Sequence, residues 1–357
     1  MFDPLNFCGK VILQDGFYEL FNKLKNSEIK LPEDPEIIGE FRFEPLDDID
    51  GTTLSYVDED FEEKYSLDPY NGEKVYKESS TLISAYDESI AKYAALECKM
   101  LYVSHSLITL YKDNYYPVNL LAPMIVTASE KIFKELSEKN EHQVFLNTEK
   151  KWSVDQKANV EVAKQKREFL EKHIHEKTIL LIDGPFIAGD GYATFKAIKK
   201  TLIDKNIFPV FIVKNSESDL ITRSIREYRG QYNSDLHLVN EILKTGERTR
   251  LYNYTDSHKE DNTKVFCYIK FSDRSSPIRI EIPTEIYEMN KFSVRKILDL
   301  VYYLILVQGD YRNPQARPIA VAEKYARETL RLIDFKKMVR ASNFTPTINE
   351  ERGMEHG

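Results

Sequence analysis

The sequence predicts an α/β protein, a sheet covered by helices. Three observations carry this. Two short runs, TILLI at 178–182 and FPVFIV at 208–213, are apolar throughout, the pattern of strands buried on both faces. A stretch from 154 to about 176 precedes the first of them and repeats Ala158, Val162, Ala163, Phe169, Leu170 and Ile174 at helical spacing. Strands come first along the chain and then alternate with helices, which is the order of an α/β sheet.

The elements follow in chain order. Residues 1–80 combine a short amphipathic helix at 16–25 with acidic, extended sequence punctuated by Pro32, Pro35, Pro45 and Pro69. This reads as an accessory region. A main domain is expected over 81–342, opening with TLISAY at 81–86 as a strand and MLYVSHSLITLY at 100–111 as one or two more. Residues 124–139 read as a helix. Ser153 is placed to cap the long helix that starts at Val154. Further helices are expected at 192–204, 219–227, 294–307 and 318–335, and further strands at 265–271 and 278–282. The polar stretch 343–357 reads as a mobile tail.

The chain has 357 residues, 42% hydrophobic and 30% charged, with a formal net charge of -8, as in a soluble globular protein. An acidic balance speaks against a surface that grips nucleic acid everywhere by charge. The acidity is uneven, however. Residues 1–80 hold 20 acids and 8 bases; the rest holds the remaining 38 acids and 42 bases, a net of +4. No secretory pattern opens the sequence, and no apolar run approaches the roughly 20 residues of a membrane helix. Cys8, Cys98 and Cys267 are scattered, the seven His are dispersed, and no Cys/His group has zinc spacing. The expectation is a reducing, cytoplasmic setting without membrane contact. There is no P-loop and no GxGxxG.

The chemistry points to carboxylates at strand ends. Asp183 stands where TILLI stops and is followed by Gly184, which allows a sharp turn. Ligand sites in α/β sheets lie at the carboxyl ends of strands. Asp87 has the same setting after TLISAY, with Asp50 before Gly51 as its rival. Two carboxylates on neighbouring strand ends repel unless a cation lies between them. Mg²⁺ and Mn²⁺ take such oxygen ligands and suit phosphodiester hydrolysis. A third acid is expected from the preceding helix, where Glu161 and Glu168 are about two turns apart on one face. Both remain open, beside the plain reading of a solvated flank.

The order of motifs resembles the NurA nuclease family. That pattern runs from a strand ending in Asp-Gly-Ser, through a helix bearing Glu, to a second strand ending in Asp-Gly-Ser. Then come a Val-Lys-x-Ser segment, an Arg-x-Glu-x-Pro strand, and a helix introduced by Pro-Leu and Ala-His. Here TILLIDGPF supplies Asp183, FPVFIVKNSESDL supplies Lys214 and Ser216, PIRIEIP supplies Arg279, Glu281 and Pro283, and ARPIAVAEKYARE supplies Pro318, Ile319, Ala322 and Glu323. The resemblance spans roughly residues 80–340. The sequence departs from it at Glu88, where the family has Gly, at Pro185, where it has Ser, at Glu323, where it has His, and at Gln315, where it has Tyr.

The resemblance implies a ribonuclease H-like mixed sheet flanked by helices. It implies Mn²⁺ (or Mg²⁺) held by Asp87, Asp183, Glu323 and a helical Glu, for which Glu168 suits the family's distance better than Glu161. It also implies single-strand endonuclease and 5′-to-3′ exonuclease activity on DNA, a homodimer, and work with a HerA-like hexameric ATPase in end processing or phage defence. Lys214, Arg317, Lys324 and Arg327 are the expected DNA contacts. The competing expectations are a catalytically silent scaffold docked on the ATPase and an RNA-directed enzyme, since fold alone does not choose the substrate.

Overall fold

The structure is a computed structural model. It describes residues 52–57, 62–78, 81–111, 113–140, 143–149, 152–186, 192–256, 263–309, 314–332, 334–335, 337 and 344–347. The expected helix at 16–25, Asp50 and most of the tail lie outside these residues.

In chain order the elements are β1 (Thr52–Tyr56), β2 (Lys64–Ser66), α1 (Pro69–Glu78), β3 (Leu82–Ala94), β4 (Lys99–Tyr111), β5 (Asn114–Thr127), α2 (Glu130–Asn140), β6 (Val144–Leu146), α3 (Val154–His173) and β7 (Thr178–Asp183). They continue with α4 (Tyr192–Asp204), β8 (Phe208–Val213), α5 (Leu220–Ser224), α6 (Asp235–Ile242), β9 (Glu247–Thr249), β10 (Tyr252–Asp256), β11 (Lys264–Ile269), β12 (Ile278–Pro283), α7 (Thr284–Gln308) and α8 (Arg317–Leu330). All strands join one sheet of order β1-β10-β11-β12-β8-β7-β3-β4-β5-β6, with β9 and β2 branching from β11.

The centre of this sheet is the mixed arrangement that the family resemblance implies. Consecutive strands β3, β4 and β5 pair antiparallel, and β7 and β8 then add parallel to β3. This order, with helices on the sheet's faces, is ribonuclease H-like. The parallel strands are buried along nearly their whole length, which is why they read as unbroken apolar runs. Ser153 caps α3 as expected, its hydroxyl accepting from the Gln156 N–H while the Gln156 side chain accepts from the Ser153 N–H.

Among the differences from expectation are α6, β9 and β10, which are unexpected, the start of α7 at Thr284, and three that shape the sheet. First, β3 does not stop at Tyr86. It runs on to Ala94 along β4 and only parts from β7 at Asp87. Second, residues 114–127 form β5, which Pro117 and Pro123 and many exposed positions disguise. The helix expected from 124 therefore begins at Glu130. Third, residues 52–78, grouped by composition with the accessory region, are built into the sheet. β1 pairs with β10, β2 pairs with β9, and α1 packs on α7. There Asp299 of α7 accepts from the Asp68 N–H at 3.0 Å and the Asn71 side-chain amide at 2.5 Å, tying down the start of α1.

Candidate metal centre

The backbone sets the position of the two strand-end acids. The last residue pair between β3 and β7 is Tyr86 with Ile182, so Asp87 and Asp183 are the next residues on two adjacent parallel strands. Neighbouring strands run about 4.8 Å apart. At this point β3 leaves β7, and the crevice so formed is where α/β sheets bind ligands. After Asp183 the chain turns through Gly184 at φ 97°, a conformation that glycine adopts without strain. The turn is anchored twice. Gly184 N–H donates to the Ile212 carbonyl at 2.9 Å, and Phe186 N–H donates to Glu281 Oε2 at 2.7 Å.

Glu281 is fully buried and binds Lys264 and Arg279 at 2.8 Å each. Burial opposes its ionisation, but these two cations outweigh it and hold the carboxyl below its ordinary range. The Arg-x-Glu-x-Pro strand thus pairs internally and clamps the turn behind Asp183.

The third acid comes from α8. Pro318, Ile319, Ala322 and Ala326 form its buried face, and the two alanines let the helix lie close on β3 and β4. Glu323 is held there by Gln315, whose side-chain amide donates at 3.1 Å, and by Arg327 one turn on. Asp87 feels both other acids. Burial comes first, and the charges of Asp183, Glu323 and Glu88 add to it, so that its pKa is pushed up from 3.8 to about 6.

The structure does not bring the helical acids to this cluster. Glu168 lies on the outer side of α3, two-thirds exposed, with Arg167 3.6 Å away. Glu161 is buried but clamped between Lys157 and Lys164, each at 2.8 Å. The reason is the face on which α3 packs. Side chains alternate along β3, so Tyr86 and Glu88 point to the opposite face from Asp87. There Lys166 of α3 lies 4.0 Å from Glu88 and over the Tyr86 ring. The Tyr86 hydroxyl donates to Glu88 at 2.5 Å and lies 2.8 Å from His105 Nδ1. Burial works against a charged Glu88, but Lys166, Tyr86 and His105 prevail and lower its pKa. Glu88 therefore belongs to a brace on the back of β3. Nothing in the sequence alone signalled this brace or the Glu281 clamp's hold on Phe186.

Among the expected DNA contacts, Lys214 follows β8 and donates to Asp183 Oδ2 at 2.7 Å. Arg317 opens α8 with its guanidinium 5.8 Å from the Tyr115 ring, Lys324 is exposed, and Arg327 is paired with Glu323. A cavity of about 430 Å³ opens beside the turn and is lined by Pro185, Val213, Ser216, Tyr254, Lys264 and Arg279, among others. A larger one, about 610 Å³, is lined by Thr245, Phe271, Arg274 and Leu306 among others, and neither cavity is lined by Asp87, Asp183 or Glu323.

The donor set suits a hard divalent cation. Asp87, Asp183 and Glu323 offer only carboxylate oxygens, and the charges of the other two add to the burial that raises the pKa of Asp87. As they stand, Asp183 and Glu323 are each engaged by a basic side chain, and among the described residues no three acids, His or Cys are gathered into a ligand set. Among the described residues no helix is long and apolar enough to cross a membrane.

The fold and its strand-end acids define the class, a ribonuclease H-like α/β protein with Asp87 and Asp183 at the carboxyl edge of its parallel strands. The NurA domain model matches residues 54–328, and the chain belongs to the NurA family. Nothing among the curated proteins matches it. Among solved structures it is similar to the NurA nuclease from Sulfolobus solfataricus, at 10% identity over 93% of this chain and 96% of that one, with a TM-score of 0.41. A NurA structure with manganese matches at 10% identity over 78% and 97%, TM-score 0.42. Endonuclease V from Ciona intestinalis in complex with DNA matches at 13% over 71% and 87%, TM-score 0.35.

Proposed function

We propose that this NurA-family chain is a divalent-metal-dependent DNA nuclease. The observation that carries the reading is the register. Asp87 and Asp183 stand side by side at the mouth of a crevice, with Glu323 close enough to disturb the ionisation of Asp87. The proposed ligands are Asp87, Asp183 and Glu323; Glu168 is left out because it faces solvent. Bound Mn²⁺ (or Mg²⁺) supplies activation of a water and stabilisation of the leaving oxygen. The chain's own residues do the positioning. The Glu281 clamp fixes the turn that presents Asp183, the brace behind β3 fixes Asp87, and Gln315 orients Glu323. Lys214, Arg317, Lys324 and Arg327 are the proposed phosphate contacts.

The finer assignment follows the family. It comprises single-strand endonuclease and 5′-to-3′ exonuclease action as a cytoplasmic homodimer, alongside a HerA-like ATPase in end processing or phage defence. One observation favours the alternative of a silent scaffold: Asp183 and Glu323 already carry basic partners. The test is cleavage of single-stranded DNA with Mn²⁺. Asp183→Asn is expected to abolish it while the thermal transition is retained; cleavage by Asp183→Asn at the parent rate sinks the assignment, and no cleavage by the parent leaves the scaffold.

A further inference from the structure

We propose that Lys214 is a built-in counter-ion of Asp183 which a divalent cation displaces, and that the displaced ammonium then takes a phosphate of the nucleic-acid strand. Metal and strand thereby bind cooperatively through one side chain. This rests on the nuclease reading above and adds a coupling to it.

The geometry supports an exchange. Lys214 Nζ lies 2.7 Å from Asp183 Oδ2, so the ammonium already occupies one oxygen of this proposed ligand. The two side chains are 27% and 25% exposed, so the pair sits at the mouth of the crevice and is open to exchange. An ammonium has three donors. Asp183 is its one hydrogen-bond partner among the described residues, which leaves donors for an incoming anion. Its backbone does not need to move. Asp183 pairs with Ile212, and Lys214 lies two residues beyond that point, just past the end of β8 at the same edge of the sheet. A four-carbon stem swings between a carboxylate on the neighbouring strand and a phosphate in front of it.

The charge balance drives the exchange. Asp87 and Asp183 stand side by side on adjacent strands at this edge, and Lys214 and Arg327 offset the charge of Asp183 and Glu323 only one for one. A divalent cation offsets more, and its charge competes with the ammonium for the carboxylate. Conversely, a phosphate that draws Lys214 away leaves Asp183 bare and improves it as a ligand. Coupling between two ligands is equal in both directions.

The test measures binding at equilibrium with the full chain. Free Mn²⁺ is counted by its paramagnetic resonance signal, with and without a cleavage-resistant phosphorothioate oligonucleotide. In the parent the oligonucleotide is expected to tighten Mn²⁺ binding on the order of tenfold, within the range of about 5- to 150-fold usual for such couplings. Lys214→Met should bind Mn²⁺ more tightly than the parent from the start and gain little from the oligonucleotide. Lys214→Arg should restore the coupling. Lys74→Met, which removes an exposed cation of α1 that pairs with Glu78, should leave it intact. The proposal is overturned if Lys214→Met binds Mn²⁺ no more tightly than the parent, if its coupling persists, or if Lys74→Met loses the coupling equally. A parent that shows the coupling but cuts nothing loses the nuclease reading alone; a parent that cuts, with Lys214→Met binding Mn²⁺ unchanged, loses this proposal alone.

Discussion

Asp235 shows how much one residue can hold. It is fully buried, and its carboxylate accepts from the Ile221 and Thr222 N–H groups and from the Ser218, Thr222 and Tyr268 hydroxyls. It thus ties α5 and α6 to β11 beside the Lys214 segment. Asp235→Ala strands these donors and should cost about 3 kcal/mol, read from urea unfolding. Burial outweighs the hydrogen bonds and pushes its pKa up from 3.8 to about 6. The folded state therefore holds this proton more tightly than the unfolded chain. The group's contribution is full below about pH 4 and is lost as pH rises through about 6. Asp235→Asn should flatten that part of the stability profile. Glu168 is the opposite case. Glu168→Gln should leave Mn²⁺ affinity unchanged, and a loss of tenfold or more would restore it to the ligand set. Its side was not legible because Glu161 and Glu168 have equivalent helical phase, and the face on which α3 packs is decided by Lys166, Phe169 and the sheet.

Elements were legible where both faces are buried. The runs at β7 and β8 are apolar throughout, β12 alternates isoleucines with Arg279 and Glu281 in strand period, and the capping box fixes the start of α3. β5 hid because its exposed residues and two prolines imitate a loop; β4 hydrogen-bonds it on one side, and prolines are tolerated on the other. The seating of α1 on α7 was equally hidden. At Gly72 an added Cβ would come within 2.2 Å of the Asp299 carbonyl oxygen, so the two helices touch backbone to backbone. Gly72→Ala should destabilise by about 1–3 kcal/mol despite alanine's better helix propensity, seen as a lower thermal midpoint.

For the whole molecule, composition and architecture divide the chain differently. The charge count sets residues 1–80 apart, whereas β1, β2 and α1 complete the sheet and cover α7. A chain starting at residue 81 should therefore lose solubility and thermal stability, because it bares the edges of β9 and β10 and the surface of α7 beneath Gly72. Light scattering and thermal unfolding measure this; an unchanged midpoint would return these residues to accessory status. The acidic balance of -8 does not describe this edge of the sheet, where Asp183 meets Lys214, Glu323 meets Arg327, and Glu281 behind the turn meets Lys264 and Arg279.

The shared register of Asp87 and Asp183 has a consequence for drift. Their separation is kept by main-chain ladders, and a ladder is indifferent to most side chains around it. A neighbour such as Pro185 can change while the two carboxylates keep their places. What such a site cannot absorb is a change in count. One residue inserted in β3 between Leu82 and Asp87 would turn the carboxylate to the back of the sheet, against Lys166, with every side chain after it reversed. Divergence at this site is therefore free in spelling and strict in length.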